Sequence, residues 1–294
     1  MEEVVRLGVQ KTRKLYIGGS FNRSESGRSR PVYQAGGKKF LANVCLASRK
    51  DLRDAVQAAR KALTAWRAKT AYNRGQILYR MAEMMESRRS ELETELAQAT
   101  GMKENEAREE TSMAIDRVIY YAGWCDKIVQ VVGNANPVAA PYFNFTIPEP
   151  VGVVGVVCPN ENPLLSFISL VIPIVAGGNS TVCLASEKYP TVAVCLAEIF
   201  ATSDLPGGVI NILTGNRSEL LGPMASHMDV NALALAGISL EEEKEAQMAA
   251  AENVKRVRVY RENKSTPWTS LAWENIDVIA DYMELKTVWH PIGS

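Results

Sequence analysis

Apolar residues recur at helical spacing between residues 48 and 125, and in short, nearly continuous runs after residue 150. Ser48 reads as an N-cap with Asp51 in an acidic first turn. Leu52, Val56, Ala59 and Leu63 then carry one face of a helix to about Trp66. A second helix follows Asn73 on Ile77, Met81, Met84, Leu92 and Leu96, and should stop at Thr100-Gly101, with the glycine as C-cap. A third carries Ala107, Ala114, Val118, Tyr121 and Cys125. Arg88, Glu91 and Glu93 read as a solvated helix face. Upstream, Lys14 to Phe21 predicts a short strand and turn, and residues 22–38, rich in Ser, Arg and Gly, predict a loop.

The period changes after residue 126. Ile128 to Val131 and Tyr142 to Ile147 predict a β-hairpin with a Gly-Asn turn near 133. Strands follow at Val151–Cys158, Thr181–Leu184, Gly208–Leu213, Ala232–Leu235 and Val257–Tyr260. Helices are interposed at Leu164–Ala176, Thr191–Thr202 and Leu240–Glu252. Strands without alternation, separated by helices, predict an α/β fold with a doubly wound parallel sheet. Glu284 to Trp289 alternates polar and apolar, and reads as a separate strand on an edge.

Composition narrows the functional classes. Lys plus Arg and Asp plus Glu are both 33 in 294 residues, so the net charge is zero and nothing points to nucleic acid. Five cysteines form no CxxC pair, which fits a reducing, cytoplasmic setting better than a disulfide framework. The first ten residues do not read as a signal peptide, and the apolar run at 164–175 is too short to span a bilayer. His227 and His290 have no second ligand near them in the sequence, so no metal is expected.

Several blocks then resemble the aldehyde dehydrogenase superfamily. They are Tyr120-Tyr-Ala-Gly-Trp-Cys-Asp-Lys-Ile128, Glu149-Pro-Val-Gly-Val153, Ala176-Gly-Gly-Asn-Ser-Thr-Val-Cys-Leu-Ala-Ser-Glu187, Pro206-Gly-Gly-Val-Ile-Asn-Ile-Leu-Thr-Gly215, Ala225-Ser-His-Met-Asp-Val230 and Tyr282-Met-Glu-Leu-Lys-Thr-Val288. Each block is weak alone, but six occur in the family's order. Val156-Val-Cys-Pro-Asn-Glu-Asn-Pro-Leu-Leu165 and the Lys-Thr-Val-Trp-His-Pro ending resemble more narrowly the non-catalytic C-terminal module of the two-module, family-sixteen members.

The resemblance implies a parsing of the chain. Residues 1–13 would be a linker, and 14–127 the N-terminal helical part of the dinucleotide-binding domain. Residues 128–148 would form an oligomerisation hairpin and 149–260 a Rossmann-like core. A capping segment over 261–283 and an oligomerisation strand and tail over 284–294 complete it. The family's catalytic domain, with its nucleophilic cysteine, has no counterpart between Tyr260 and the terminal strand. Cys158 ends a strand but reads as a small buried hydrophobe. Glu161 takes the place of the family's oxyanion-donating Asn, and a carboxylate repels a developing alkoxide. Tyr260 takes the place of the general-base Glu, with Glu262 displaced by two residues.

The implied cofactor site is also altered. The family's ribose-binding Lys matches Leu184, while the ribose acid is kept as Glu187. The pyrophosphate turn keeps only Gly237, and Glu241-Glu242-Glu243 occupy the first helical turn, where they suit the dipole but oppose phosphates. The expectation is therefore a pseudoenzyme without aldehyde oxidation activity, with no cofactor, and with Glu187 and Gly237 vestigial for NAD. Its expected role is assembly: a homo-oligomer, read as a dimer, or a partner for a catalytic aldehyde dehydrogenase module or other proteins, away from nucleic acid and membranes. Two competing expectations are an NAD-dependent aldehyde oxidoreductase acting through a paired catalytic module, and a nucleotide-sensing module.

Overall fold

The computed structural model describes residues 11–37, 39–262 and 265–292. Five short strands open the chain: β1 (Thr12–Arg13), β2 (Leu15–Ile17), β3 (Ser20–Asn22), β4 (Ser29–Tyr33) and β5 (Phe40–Cys45). Helices α1 (Arg49–Ala68), α2 (Ala71–Ser87), α3 (Arg89–Thr100), α4 (Glu104–Trp124) and α5 (Ile128–Val132) follow. The hairpin strands β6 (Asn134–Asn136) and β7 (Tyr142–Pro150) lead into the alternating region. There, β8 (Val153–Val157), α6 (Leu165–Ala176), β9 (Ser180–Leu184), α7 (Pro190–Phe200) and β10 (Ile210–Leu213) precede α8 (Arg217–Ser226), β11 (Ala232–Ala236), α9 (Leu240–Ala251) and β12 (Arg256–Tyr260). After a single turn of 3-10 helix at Leu271–Trp273 come α10 (Asp277–Ala280) and β13 (Met283–Pro291).

The main sheet has the order β12-β11-β8-β9-β10-β2-β3. Its first five strands are parallel, while β2 and β3 add antiparallel. Successive residues of each central strand face opposite sides, so Val154 and Val156 join one core while Val153 and Val157 join the other. Helices α2, α4, α6 and α7 cover the first side, and α1, α8 and α9 the second. Both faces are buried, which is why the strands read as unbroken apolar runs: this is a doubly wound α/β fold. The chain runs outward from β8 through β9 to β10, then returns to β11 beside β8. The strand order therefore reverses between β8 and β11, where open parallel sheets form their clefts.

The predicted caps are present. Ser48 accepts from the amides of Lys50 and Asp51, and Asp51 reaches back to the Ser48 amide, closing a capping box. Gly101 ends α3 at φ 78°.

Five expectations are corrected. The helix expected over Asn73–Thr100 is two helices, broken at Arg88. Arg88 is only partly exposed and bridges to Glu91 and to Glu198 of α7, so it joins a packed charge network rather than a free solvated face. Ile128–Val132 is helical, so the hairpin begins at Asn134; the apolar run continues the helical chain direction after α4, and Gly133 caps it by donating to the Val129 carbonyl. Residues 22–38 are not one loop, because Ser29–Tyr33 pairs with β5, a strand the pattern did not predict. Of the 1–13 linker, residues 1–10 lie outside the described residues, and Thr12–Arg13 is a strand pairing with β5. It is held by Arg13, whose guanidinium meets Glu95 at 2.5 Å and Glu198 at 3.0 Å.

The terminal strand β13 pairs antiparallel with β7 over nine residues, from Met283 against Pro150 to Pro291 against Tyr142, in a small sheet of order β13-β7-β6. The capping segment is packed: Trp268 and Trp273 are buried and stack with centroids 4.2 Å apart. No helix among the described residues is long and apolar enough to cross a bilayer.

Candidate active-site cleft at the sheet switch point

A cleft of about 360 Å³ opens at the carboxyl ends of β8, β11 and β12. Glu161 stands on the loop after β8, Gly237 on the turn after β11, and Tyr260, Arg261 and Glu262 at the end of β12, with Trp268 of the capping segment beside them. The fold thus brings Glu161, Tyr260, Glu262 and Gly237, all singled out in the sequence, to one place. It leaves Glu187 partly buried beyond the end of β9 and outside the lining of this cleft.

Each of these residues has a local physical setting. Glu161 is exposed on a loop pinned on both sides. On one side Asn160 accepts from the Ser186 hydroxyl at 2.8 Å and the Lys188 amide at 3.1 Å. On the other, Asn162, in the left-handed region at φ 42°, donates to Glu110 at 3.1 Å. The Glu161 carboxylate has no hydrogen bond or ion pair to the described residues, although it lies near enough to Lys188 to act on that ammonium. Tyr260 donates from its hydroxyl to Asp281 at 3.2 Å and packs on Trp273, with centroids 5.9 Å apart. Burial, followed by Tyr282 and the nearby Asp281 carboxylate, drives its phenol pKa well above the ordinary value. A phenol held this way does not remove protons at neutral pH. Glu262 accepts from the Trp268 amide at 3.3 Å.

Gly237 has φ 63°, and a Cβ there would stand 2.7 Å from the Pro159 Cβ. The glycine therefore lets the β8 and β11 loops touch. The helix start just beyond it is closed by its own side chains. Ser239 caps α9 by accepting from the Glu242 amide, and the Glu242 carboxylate accepts from the Ser239 amide at 2.8 Å. Arg217 pairs with Glu242 at 2.9 Å and donates to the Gly237 carbonyl at 2.6 Å. Glu243 is held by Arg261. Two amides of this helix start are thus engaged by its own side chains, that of Ser239 by the Glu242 carboxylate and that of Glu242 by the Ser239 hydroxyl.

No thiol near the cleft is activated. Cys158 is buried, and desolvation holds its thiol pKa well above the ordinary value, with Cys183 adding to the effect. Burial pushes Cys125, Cys183 and Cys195 to about 12. A nucleophilic cysteine needs the opposite, a stabilised thiolate. The described residues hold no group of three or more His, Cys, Asp or Glu suited to a metal ion.

Two buried charges on α4 were not singled out in the sequence. Glu110 of α4 accepts from the amides of Leu164 and Leu165 at 3.0 and 3.1 Å, so it caps α6 from another helix. Burial raises its pKa in spite of these bonds. Arg117, two turns further on, donates to Ser169 Oγ at 2.6 Å and to the carbonyls of Trp268 and Ser270 at 2.9 and 3.1 Å. Both lie inside the apolar stripe of α4 formed by Ala107, Ala114, Val118 and Tyr121. A charge within such a stripe is the signal that would have found them.

The family model described as the aldehyde dehydrogenase family matches residues 21–266. A putative aldehyde dehydrogenase, DhaS, of Bacillus subtilis (strain 168) is 36% identical over 264 residues, covering 87% of this chain and 52% of that protein. Human retinal dehydrogenase 2 is 35% identical over 260 residues, covering 87% and 49%. The NAD+ complex structure of aldehyde dehydrogenase from Bacillus cereus superposes with a TM-score of 0.81 at 29% identity, covering 86% of this chain and 52% of that one. The chain spans about half the length of the curated relatives it matches.

Proposed function

The chain belongs to the aldehyde dehydrogenase family, and from that premise we propose that it is a non-catalytic member whose task is assembly. The observation that carries this reading is the division of the surface. The cleft at the switch point is closed to the family's chemistry, while the β13-β7-β6 sheet presents an uncovered apolar face and an open edge. Tyr142, Leu285 and Trp289 share that face and are 41–62% exposed, Phe143 is exposed on the opposite face, and β13 is an edge strand along nine residues. Exposed apolar edge strands pair with another chain unless they are protected. A second copy joined there, forming a dimer, is the simplest closed assembly.

The loss of chemistry is supported at each required position. Aldehyde oxidation needs a thiolate, an oxyanion donor, a hydride acceptor and a base. The thiols near the sheet are protonated, Glu161 is a carboxylate, and Tyr260 donates to Asp281. The connection from β12 to β13 is a short capping segment that fills its own apolar contacts. The residues at the start of α9 do not fit a dinucleotide: Glu242 takes the Ser239 amide, Glu242 and Glu243 neutralise Arg217 and Arg261, and the Leu184 side chain offers no hydrogen bond. Bound NAD is accordingly not part of this reading.

Sedimentation of the purified chain at micromolar concentration tests the assembly role. A dimer is expected, and the paired substitution Leu285→Lys and Trp289→Glu should yield monomers with unchanged circular dichroism. A wild-type chain that sediments as a monomer defeats this reading. So does aldehyde-dependent NADH formation, which would favour the oxidoreductase alternative.

A further inference from the structure

The hydrogen bonds at the two ends of β13 fix which of its backbone groups are free. Val151 donates to the Tyr282 carbonyl at 3.2 Å, and Ile292 donates to the Pro141 carbonyl at 2.9 Å. Bonding positions alternate along an antiparallel pair, so the even-numbered residues of β13 turn their backbone groups toward β7. Met283, Leu285, Thr287, Trp289 and Pro291 turn theirs outward, where no strand pairs with them among the described residues. The two ends of this outward row are unlike its middle. The Met283 carbonyl is already engaged by Arg256, which donates to it at 2.9 Å, and Pro291 has no amide to donate.

We propose that two copies of this chain join edge to edge, β13 antiparallel to the second copy's β13 about a two-fold axis through Thr287; this rests on the reading of the chain as an assembly module. About that axis all nine residues of the strand are paired. Met283 faces Pro291 of the second copy, so the carbonyl already engaged meets the residue that lacks an amide. Every outward donor and acceptor of Leu285, Thr287 and Trp289 then finds a partner. Leu285 faces Trp289 of the second copy, and Thr287 faces its own counterpart, so the exposed apolar face runs on across the junction. On the other face Glu284 meets His290, and Lys286 meets Val288. The three strands of each copy become one continuous sheet of six.

The neighbouring registers fit less well. Only outward groups can bond outward groups, so the axis passes through a residue and not between two. An axis through Lys286 sets two ammonium groups face to face and turns the Trp289 amide to the engaged Met283 carbonyl. An axis through Val288 sets Pro291 against Leu285, whose carbonyl then has no donor. Axes through Leu285 or Trp289 pair only five of the nine residues, 283–287 or 287–291. In the Thr287 register the paired substitution Leu285→Lys and Trp289→Glu sets opposite charges across the junction. An exposed ion pair contributes little, and the apolar contact is lost, so monomers are still expected.

Single cysteines introduced into the whole chain read the register, because the five native cysteines are buried. A position on the axis faces itself within disulfide reach, and its neighbours do not. Mild oxidation of Thr287→Cys should therefore give a covalent dimer, with about tenfold less from Lys286→Cys or Val288→Cys. Thr287→Pro removes an outward amide and no bond to β7. It should leave the circular dichroism unchanged and raise the dimer dissociation constant about tenfold. A sedimenting dimer that cross-links through Lys286→Cys or Val288→Cys, or through none of the three, overturns this pairing and leaves the assembly reading standing. A dimer indifferent to Thr287→Pro does the same. A wild-type chain that sediments as a monomer overturns both.

Discussion

Arg117 donates through Nη1 to the carbonyl oxygen of Trp268 at 2.9 Å, tying the middle of α4 to a segment that the chain reaches only after the whole sheet is built. The same guanidinium holds Ser270 and Ser169, and Tyr121, one turn further along α4, donates to the Trp273 carbonyl. The cap over the first face of the sheet is therefore fastened by two side chains of one helix. Among the described residues no carboxylate pairs with Arg117 directly, and burial lowers its pKa, with Tyr121 and Glu274 partly opposing that.

Replacing Arg117 with leucine should cost about 3 kcal/mol, because two buried acceptors and a half-buried one lose their donor together. Lysine, with a single donating point, should recover only part of this. Urea unfolding followed by tryptophan fluorescence gives the number. A loss under about 1 kcal/mol for the leucine variant would mean the cap holds without its fastening.

Trp268→Ala should destabilise by about 3–5 kcal/mol, as for other large aromatic truncations in cores. Trp268→Phe should cost less, because a ring remains to stack on Trp273. If the two substitutions prove equally mild in thermal unfolding, the cap is peripheral rather than part of the core.

Gly237→Ala should cost about 2 kcal/mol, since alanine must take a positive φ and push against Pro159 at once. Its Cβ would meet the Pro159 Cβ at 2.7 Å and Cα at 2.9 Å. Chemical denaturation measures this directly. A neutral outcome would show that the glycine is not there for packing.

Glu110 sets a pH dependence. Burial raises its folded pKa above 4.5. An acid with a raised folded pKa contributes stability in its protonated form, so the contribution is complete below about 4.5 and declines as pH climbs through the raised value. Glu110→Gln should remove this decline, so the stability difference between parent and variant should change over that interval and become level above it. Parallel unfolding curves across the pH series, with a constant gap, would exclude the effect.

The local pattern carried much of the architecture. Strands buried on both faces must be apolar at nearly every position, and helices buried on one face must repeat at the helical period; both rules act within a few residues, so β8 to β11, the Ser48–Asp51 cap and the Gly101 stop are determined by the sequence itself. The family resemblance, read block by block, marked Glu161 and Tyr260 as altered positions and Gly237 as the retained one. The local pattern failed at Ile128–Val132, where five residues are too few for the helical and strand periods to differ. Partners distant in the chain were decided only by folding: Glu110 capping α6, Arg117 holding Trp268, Asp281 receiving the Tyr260 hydroxyl, and Arg217 and Arg261 neutralising the α9 acids. A buried polar group must find its partner wherever the packed chain brings one, and no spacing along the sequence encodes which residue that is.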